Sequence, residues 1–310
     1  GSVLVQMAAL RQPAGELAYT GLLMVGGAAA VAAGAALFAR RRHRHRPRTC
    51  SAGPPRLEVC ADSVAAAVAA EAGGAARIEL CDSLLEGGTT PSVGKLLCCR
   101  RAVALPVHVM LRPRGGDFLY TAAELAVIEA DLHALKAAGA DGLVVGLLLD
   151  DGRVDELRLR RIVRLAAPLP VTFHRAIDVT PDPVEALHAC ARCGVCRVLT
   201  SGGQPTAVQG APTVRRLADA VAAAHYPMVV AAGGGVSGAN AAALLRDTGA
   251  HELHASARQA VRSGMRFRPD PPIHMGGEKR NGPSTEFEWR CAESGAVSAI
   301  VSAIEGVSYC

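Results

Sequence analysis

Aromatic side chains are scarce in this sequence. Phe, Trp and Tyr together make up ten of its 310 residues. A core built around large rings is therefore excluded, and Val, Leu, Ile and Ala must fill it. Half of the residues are hydrophobic, which is sufficient for one large domain.

The sequence also lacks the cysteine framework of a small secreted domain, and it lacks an extended basic surface. Its ten cysteines are scattered through apolar segments, and we expect them to be reduced thiols in the cytosol. Six arginines lie within residues 40–48, and without them the net charge falls from +5 to −1. A nucleic-acid partner is therefore not predicted.

Residues 1–55 differ in composition from the rest of the chain. The segment 17–39 contains no charged residue and is long enough to span a bilayer. The arginine-rich run that follows it is typical of a cytoplasmic flank. One interpretation is a membrane anchor with the remaining domain in the cytosol. The alternatives are a cleaved targeting segment and a stretch that does not belong to the natural protein.

From Arg56 onward, short apolar runs alternate with Ala- and Leu-rich segments of helical period. We predict eight strands: Leu57–Ala61, Arg77–Cys81, Val107–Arg112, Gly142–Gly146, Val171–His174, Arg197–Thr200, Met228–Ala231 and Glu252–His254. Eight strand–helix units favour an α/β fold, a TIM-like (β/α)8 barrel. A doubly wound open sheet is the alternative. The barrel would occupy residues 56–268.

Residues 269–310 form an atypical tail. Much of it is polar and rich in glycine and proline. Apolar residues then recur with helical spacing at Val297, Ile300, Val301 and Ile304. We therefore expect the tail to supply the last helix of the barrel.

The first two predicted strands repeat one pattern. RLEVCADS begins at Arg56, and RIELCDSL begins at Arg77. Successive side chains of a strand alternate between its two faces. The apolar set must face the surrounding helices, because unpaired carboxylates there would cost several kcal/mol. Glu58, Cys60, Glu79 and Cys81 therefore face the barrel interior, which we call the lumen.

Further polar residues follow the same alternation on the other strands. The inward or strand-end set is His108, Met110, Arg112, Arg114, Thr172, His174, Arg175, Asp178, Thr200, Ser201, Glu252, His254, Ser256 and Arg258. Barrel enzymes place their sites at the carboxyl ends of the strands, which we call the mouth. Burying so many polar groups costs free energy unless they pair with one another or take part in binding or catalysis. The mouth is therefore the predicted functional site.

Cys60 and Cys81 are the candidate metal ligands. They occupy equivalent positions on neighbouring strands, which lie about 4.8 Å apart, so both thiols can reach one ion. Thiolates select Cu(I) and other thiophilic metals. Met110 or His108 would add a further ligand. The alternative is two reduced cysteines in the core.

A barrel enzyme acting on a small anionic metabolite is the second functional hypothesis. Glu58, Glu79 and His174 would perform acid–base catalysis, and His254 would relay protons. The anion would be held by a set of arginines and mouth residues: Arg112, Arg114, Arg258, Thr200, Ser201, Gly233, Gly234, Gly235 and His254. The alternatives are structural histidines, a glycine-rich turn, and arginines paired with Glu58 and Glu79. A scaffold that uses only the barrel exterior is the third hypothesis.

The segment CARCGVC, which contains Cys190, Cys193 and Cys196, matches a metal-cluster pattern only superficially. It crosses from the end of a helix to the start of a strand, so its three sulfurs should diverge. No fourth cysteine or histidine follows at a suitable spacing. We interpret these cysteines as core residues.

Several motifs resemble those of the copper homeostasis protein CutC family, and most closely those of its animal members. They are LEVCADS, RIELCDSLLEGGTTPSVG, VMLRPRGGDFLYT, PLPVTFHRAID, VLTSGG, GGGV and HASAR. The resemblance implies a TIM-like barrel, a cytoplasmic location with the nucleus as a second compartment, and a role in copper handling. It also implies copper binding at Cys60 and Cys81 and a homo-oligomeric state. It implies no particular enzymatic reaction.

Four positions depart from the family pattern. Ala231 and Ala232 stand where the family usually has Met-Pro, and Leu149 stands where Thr is common. Ala255 replaces a cysteine of the animal members. That replacement would remove a third thiol from the predicted site.

Overall fold

The computed structural model describes residues 55–270, 273 and 286–307. The segment 17–39, interpreted above as a membrane anchor, lies outside the described residues. Within the described ranges, no helix combines the length and the apolar character needed to cross a bilayer.

Eight parallel strands form a closed barrel in sequence order. They are β1 (Arg56–Ala61), β2 (Arg77–Leu80), β3 (Val107–Met110), β4 (Gly142–Val145), β5 (Val171–Phe173), β6 (Arg197–Thr200), β7 (Val229–Gly233) and β8 (Glu252–Ala255). β1 pairs with both β2 and β8, which closes the sheet. The predicted TIM-like barrel is confirmed, and the open-sheet alternative is wrong.

Helices cover the outside of the barrel. They are α1 (Val64–Ala72), α2 (Val93–Ala102), α3 (Ala122–Ala137), α4 (Glu156–Ala166), α5 (Pro183–Arg192), α6 (Ala211–Ala223), α7 (Ala241–Thr248) and α8 (Ser294–Ile304). Short 3-10 helices at Leu84–Glu86 and Arg175–Val179 follow β2 and β5. Thr121 and Glu124 form a complete capping box at the start of α3. The chain leaves α3 at Gly139, whose φ of 96° suits glycine.

The strands have two chemically different faces, as the alternation predicts. Leu57 and Val59 pack in the aliphatic core between the strands and the helices. Glu58 and Glu79 are buried but lie on the lumen side. A second, small apolar cluster of Cys81, Met110 and Val144 lies inside the barrel. The aliphatic core therefore holds the barrel together from outside and leaves the lumen for polar groups.

The tail closes the ring of helices between α7 and α1. After β8 the chain forms an antiparallel pair of strands, β9 (Arg258–Arg262) and β10 (Glu288–Ala292). α8 follows, packs on α1, α7 and β1, and buries Val297, Ile300 and Ile304. The structure thus has a helix where the spacing of residues 297–304 predicts one.

Gly73, at the end of α1, allows α8 to approach closely. A Cβ atom at Gly73 would lie 2.5 Å from Val297 Cβ and 2.7 Å from the Ser294 carbonyl oxygen. The φ of Gly73 is −81°, so the obstacle is steric and not conformational. The helical Gly94 of α2 is exposed, and a Cβ there would meet only Ser92 Oγ at 3.9 Å.

We expect Gly73→Ala to destabilise the protein by about 1–3 kcal/mol, because overpacking forces α8 away from the barrel. Gly94→Ala is the matched control and should be neutral or stabilising by up to about 1 kcal/mol, since alanine favours helix. Urea denaturation of the two variants measures the difference. Equal stability of the two variants would contradict the close packing of α8.

Candidate metal centre

The inward side chains of the barrel are stacked in levels, each supplied by alternate strands. From the amino-terminal end toward the mouth, the strand registers give Arg77, Gly142, Arg197 and Glu252; then Glu58, His108, Thr172 and Ala231; then Glu79, Val144, Leu199 and His254; then Cys60, Met110, His174 and Gly233; and finally Cys81, Gly146 and Ser201. The predicted site residues are therefore distributed along the lumen and are not all at the mouth.

An ion-pair cluster forms the floor of the lumen. Arg197 donates from Nη2 to Glu58 Oε2 (2.7 Å) and from Nη1 to Glu252 Oε2 (3.2 Å). Arg77 donates from Nε to Glu58 Oε2 (2.5 Å) and from Nη2 to Glu252. Burial favours the neutral form of Glu58, but the charges of Arg77 and His254 outweigh burial and hold the pKa of Glu58 well below its usual range. We call these four residues the floor cluster.

The sequence analysis missed the two arginines of the floor cluster. Arg77 precedes Glu79 by two residues, and Arg197 precedes Ser201 by four. Both therefore share the inward face of their strands, and the alternation would have placed them in the lumen. The alternation could not show which carboxylates they pair with.

His254 links the floor cluster to Glu79 and Cys60, which lie above it. Its Nδ1 lies 3.0 Å from Glu58 Oε1, and its Nε2 lies 3.6 Å from Glu79 Oε2. Burial lowers the pKa of His254, but Glu79, Cys60 and Glu58 together raise it well above its ordinary value. For Glu79, burial dominates and raises the pKa. Glu79 Oε1 is buried and has no hydrogen-bond partner among the described residues.

The structure brings the two predicted thiols together. Cys60 and Cys81 are buried, with exposed fractions of 8% and 0%, and Cys81 Sγ donates to the Ala61 carbonyl oxygen (3.7 Å). The neighbouring Cys81 thiol lowers the pKa of Cys60, and Cys60, together with burial, raises the pKa of Cys81. The pair is therefore suited to hold one thiolate beside one thiol.

Met110 and His108, the two candidate additional ligands, lie in different surroundings. Met110 packs against Cys81 and Val144. His108 Nδ1 lies 3.3 Å from Arg197 Nη2, beside the floor cluster. Burial, followed by the charge of Arg77, lowers the pKa of His108 to about 3. Of the two residues, Met110 is the one that contacts a thiol of the pair.

Cys60, Glu79 and His254 form a cluster, in the described part of the chain, that could hold a metal ion. One ligand atom of each residue lies within 4.8 Å of the other two. Histidines that bind metals commonly donate their second ring nitrogen to a carboxylate. Glu58 provides such a carboxylate for His254. The donor set and its support therefore fit a metal ion.

Arg112 and Arg114 do not pair with Glu58 or Glu79, so that alternative is wrong. Arg112 donates from Nη1 to the carbonyl oxygens of Glu86 (2.7 Å) and Gly88 (2.8 Å), and from Nη2 to that of Gly116 (2.8 Å). Arg114 instead pairs with Glu124 (2.5 Å) and Asp117 (2.9 Å). Both guanidinium groups hold loops of the mouth in place.

His174 is buried near the mouth. Its Nδ1 accepts a hydrogen bond from the Ala176 N–H (3.1 Å), so in the neutral ring Nε2 carries the proton. Nε2 is buried without a partner among the described residues. Burial, followed by the charge of Arg112, lowers the pKa of His174 to about 3. His174 is thus a neutral donor with no acceptor in the described protein.

Thr200 and Ser201 belong to a network around Asp178. The Thr200 hydroxyl donates to Asp178 Oδ1 (2.5 Å), and the Ser201 N–H lies 3.0 Å from Asp178 Oδ2. The Ser201 hydroxyl accepts a hydrogen bond from Arg175 Nη2 (2.5 Å). The network fixes the loop after β6 against the 3-10 helix that follows β5.

The glycine-rich loop after β7 is folded back on itself. Gly234 and Gly235 have φ values of 107° and 72°, which glycine adopts readily. The Gly234 carbonyl accepts a hydrogen bond from Ala207 N–H (2.9 Å), and the Gly235 carbonyl accepts one from Asn240 (2.9 Å). Gly233 ends β7 and leaves space for Leu199 and His254, because a Cβ there would lie 2.8 Å from Leu199 and 3.2 Å from His254.

Arg258 lies near the thiol pair, and Ala255 faces away from it. The charge of Arg258 is among the causes that lower the pKa of Cys60, and Arg258 Nε is buried without a partner among the described residues. Ala255 belongs to the aliphatic core outside the strands. A cysteine at this position would therefore not add a third thiol to the lumen, which corrects the expectation above.

The thiols of CARCGVC diverge as predicted. Cys190 lies in the aliphatic core, and Cys193 Sγ donates to the Glu156 carbonyl (3.6 Å). Cys196 Sγ donates to the Val171 carbonyl (3.5 Å). These contacts point in different directions and serve packing.

Residues 56–259 match the model of the CutC family. The chain belongs to the CutC family. It is 50% identical over 212 residues to the copper homeostasis protein cutC homolog of Mus musculus and 49% identical over 212 residues to that of Homo sapiens. Each match covers 68% of this chain and 77% of the relative. A CutC family protein of Mesorhizobium japonicum is 45% identical over 231 residues, which are 74% of this chain and 88% of the relative.

Known structures agree with this membership. The crystal structure of CutC from Streptococcus agalactiae superposes with a TM-score of 0.62 at 28% identity, covering 65% of this chain and 98% of that one. The CutC family match and the lumen chemistry thus fall on the same segment, which begins with β1 and ends in β9.

We expect Arg197→Met to destabilise this CutC family barrel by about 3–5 kcal/mol, because it leaves buried carboxylates with too few cations. Arg161→Met removes an ion pair with Glu129 in which Arg161 is 59% exposed, so the loss of this solvent-screened pair should change the stability far less than Arg197→Met does. Urea denaturation at neutral pH measures both.

The pH dependence provides a second readout for Arg197→Met. The pKa of Glu58 is lower in the folded protein than its ordinary value of 4.5, so the ionised carboxylate stabilises the fold above that pH and loses this effect as the pH falls below it. The stability gap between the wild type and Arg197→Met should therefore narrow below about pH 4.5. A gap that is small at neutral pH, or that does not change with pH, would contradict the assigned pairing.

Proposed function

We propose that this protein binds Cu(I) through the thiolates of Cys60 and Cys81 and acts in copper homeostasis. The observation that supports this proposal is the placement of two buried, inward thiols on neighbouring strands, each of which shifts the pKa of the other. Soft thiolate ligands favour Cu(I) over harder cations. The mammalian relatives are named copper homeostasis proteins, which agrees with this chemistry.

The surroundings of the thiol pair favour the binding of a monovalent cation. The neighbouring Cys81, His254 and the charge of Arg258 lower the pKa of Cys60 and so favour a thiolate there. Metal binding would displace the remaining thiol proton, as metal binding to cysteine generally does. The thioether of Met110 lies beside Cys81 and is a further soft group. The resemblance also predicts a cytoplasmic and nuclear location and a homo-oligomeric state. Both remain predictions.

We expect the double variant Cys60→Ser/Cys81→Ser to bind Cu(I) at least tenfold more weakly, because both soft ligands are lost. Competition against a chromophoric Cu(I) chelator under anaerobic, reducing conditions measures the affinity. Cys193→Ser/Cys196→Ser is the matched control, since those thiols donate to the backbone carbonyls of Glu156 and Val171, and it should bind as the wild type does. Wild-type affinity in the Cys60→Ser/Cys81→Ser variant would refute the proposal.

The second candidate function is an enzyme that acts on a small anion. It is favoured by two buried donors without partners among the described residues, His174 Nε2 and Arg258 Nε. Arg112 and Arg114 do not supply the anion clamp in this version, because Arg112 Nη1 and Nη2 donate to loop carbonyls and Arg114 pairs with Glu124 and Asp117. Glu79 would provide acid–base chemistry, and Glu58 would orient His254.

We expect a small carboxylate or phosphate to raise the melting temperature of the wild type, because an anion would pair with the donor of Arg258. Arg258→Gln should abolish the shift, whereas Arg262→Gln, on an exposed residue of the same strand, should keep it. A thermal-shift screen of small anions measures this effect. No stabilising anion, or an unchanged shift in Arg258→Gln, would count against the enzyme.

A further inference from the structure

We propose that Cys60, Glu79 and His254 form a second, overlapping metal site that takes a borderline divalent cation of the zinc class. The site shares Cys60 with the proposed Cu(I) site but does not need Cys81. The two metals would therefore compete for Cys60 while each depends on a different neighbour.

The mixed donor set is the first argument for a divalent ion. The cluster offers one sulfur, one imidazole nitrogen and one carboxylate oxygen. Zn²⁺ binds all three donor types in proteins, whereas Cu(I) selects sulfur and disfavours a carboxylate. A site for Cu(I) alone would have no use for Glu79.

The spacing of the donors is the second argument. His254 Nε2 and Glu79 Oε2 are 3.6 Å apart, and all three donor atoms lie within 4.8 Å of one another. Ligands at zinc bond lengths of about 2.0–2.3 Å in a tetrahedral arrangement are separated by roughly 3.3–3.8 Å. The nitrogen and oxygen are therefore already at a suitable separation, and only small side-chain movements are required of the sulfur.

The unsatisfied carboxylate is the third and independent argument. Glu79 is 3% exposed, and its Oε1 has no hydrogen-bond partner among the described residues. The arginines below it, Arg77 and Arg197, are both engaged by Glu58 and Glu252. A buried carboxylate oxygen without a partner is costly, and a cation coordinated by Glu79 would satisfy it.

The carboxylate beside His254 determines which ring nitrogen can bind the metal. Nδ1 faces the Glu58 carboxylate at 3.0 Å, so Nε2 is left for coordination. The carboxylate–histidine–metal arrangement fixes the ring in metalloproteins. Three protein ligands leave the fourth tetrahedral position open to a water molecule or a small ligand.

Cobalt(II) is the probe for this site, since it replaces Zn²⁺ and is visible by absorption spectroscopy. The full chain, kept reduced, should bind one Co²⁺ with a thiolate-to-cobalt charge-transfer band, and Zn²⁺ should displace it. Glu79→Gln should weaken Co²⁺ binding at least tenfold, whereas Cys81→Ser should change it by less than threefold. Glu124→Gln, which alters a capping glutamate of α3, is the control for the loss of a carboxylate elsewhere.

The same variants, titrated with Cu(I), separate this inference from the proposed function. Cys81→Ser should lose Cu(I) affinity, and Glu79→Gln should retain it. A wild type that binds Cu(I) but gives no cobalt band would overturn the divalent site and leave the copper proposal standing. A cobalt band without Cu(I) binding would do the reverse. A cobalt band that survives Glu79→Gln, or that disappears in Cys81→Ser, would overturn the three-ligand assignment.

Discussion

The buried ion pairs between Arg77, Arg197 and Glu58 are the constraint on which the rest of the lumen depends. Glu58 is 1% exposed, and an isolated carboxylate at such a depth would take up a proton. The two guanidinium groups keep it ionised. Because Glu58 is ionised, its second oxygen can fix His254. His254 in turn brings an imidazole nitrogen to Glu79 and Cys60. The position of these candidate metal ligands therefore depends on the charged groups of the floor cluster below them.

The composition of the chain provides the space for these groups. With few aromatic residues available, the core outside the strands is almost entirely aliphatic, and the rings inside the barrel are mainly histidines. Gly142 and Gly146 make room for two of them. A Cβ at Gly142 would lie 2.6 Å from His108 Nε2, and one at Gly146 would lie 2.1 Å from His174 Cε1. Glycine within a strand often marks such a close approach.

The face of each strand residue was predictable from the sequence, but the partners of these residues were not. The two-residue alternation was sufficient to place Glu58, Cys60, Glu79 and Cys81 inside a closed barrel. Pairing depends on strand register and on loop conformation, which alternation does not fix. Arg112 illustrates this limit, because three loop carbonyls hold its guanidinium group and no carboxylate does. Ala255 is a different case: the resemblance to the animal members suggested a third thiol there, although the alternation that places His254 inward already turns residue 255 outward, as the structure shows.

Cys60 is the ligand that the two proposed metal sites share. The level above it holds Cys81, and the level below holds Glu79 and His254. Toward the mouth its surroundings are soft, with a thiol and the thioether of Met110. Toward the floor its neighbours are the ring nitrogen of His254 and the carboxylate oxygen of Glu79. Because metal preference follows ligand softness, the identity of a bound ion depends on which neighbour of Cys60 completes the coordination. Zn²⁺ binding would require Glu79 to be ionised, which burial opposes, and Cu(I) binding would require the Cys81 thiol to lose its proton, which Cys60 and burial also oppose.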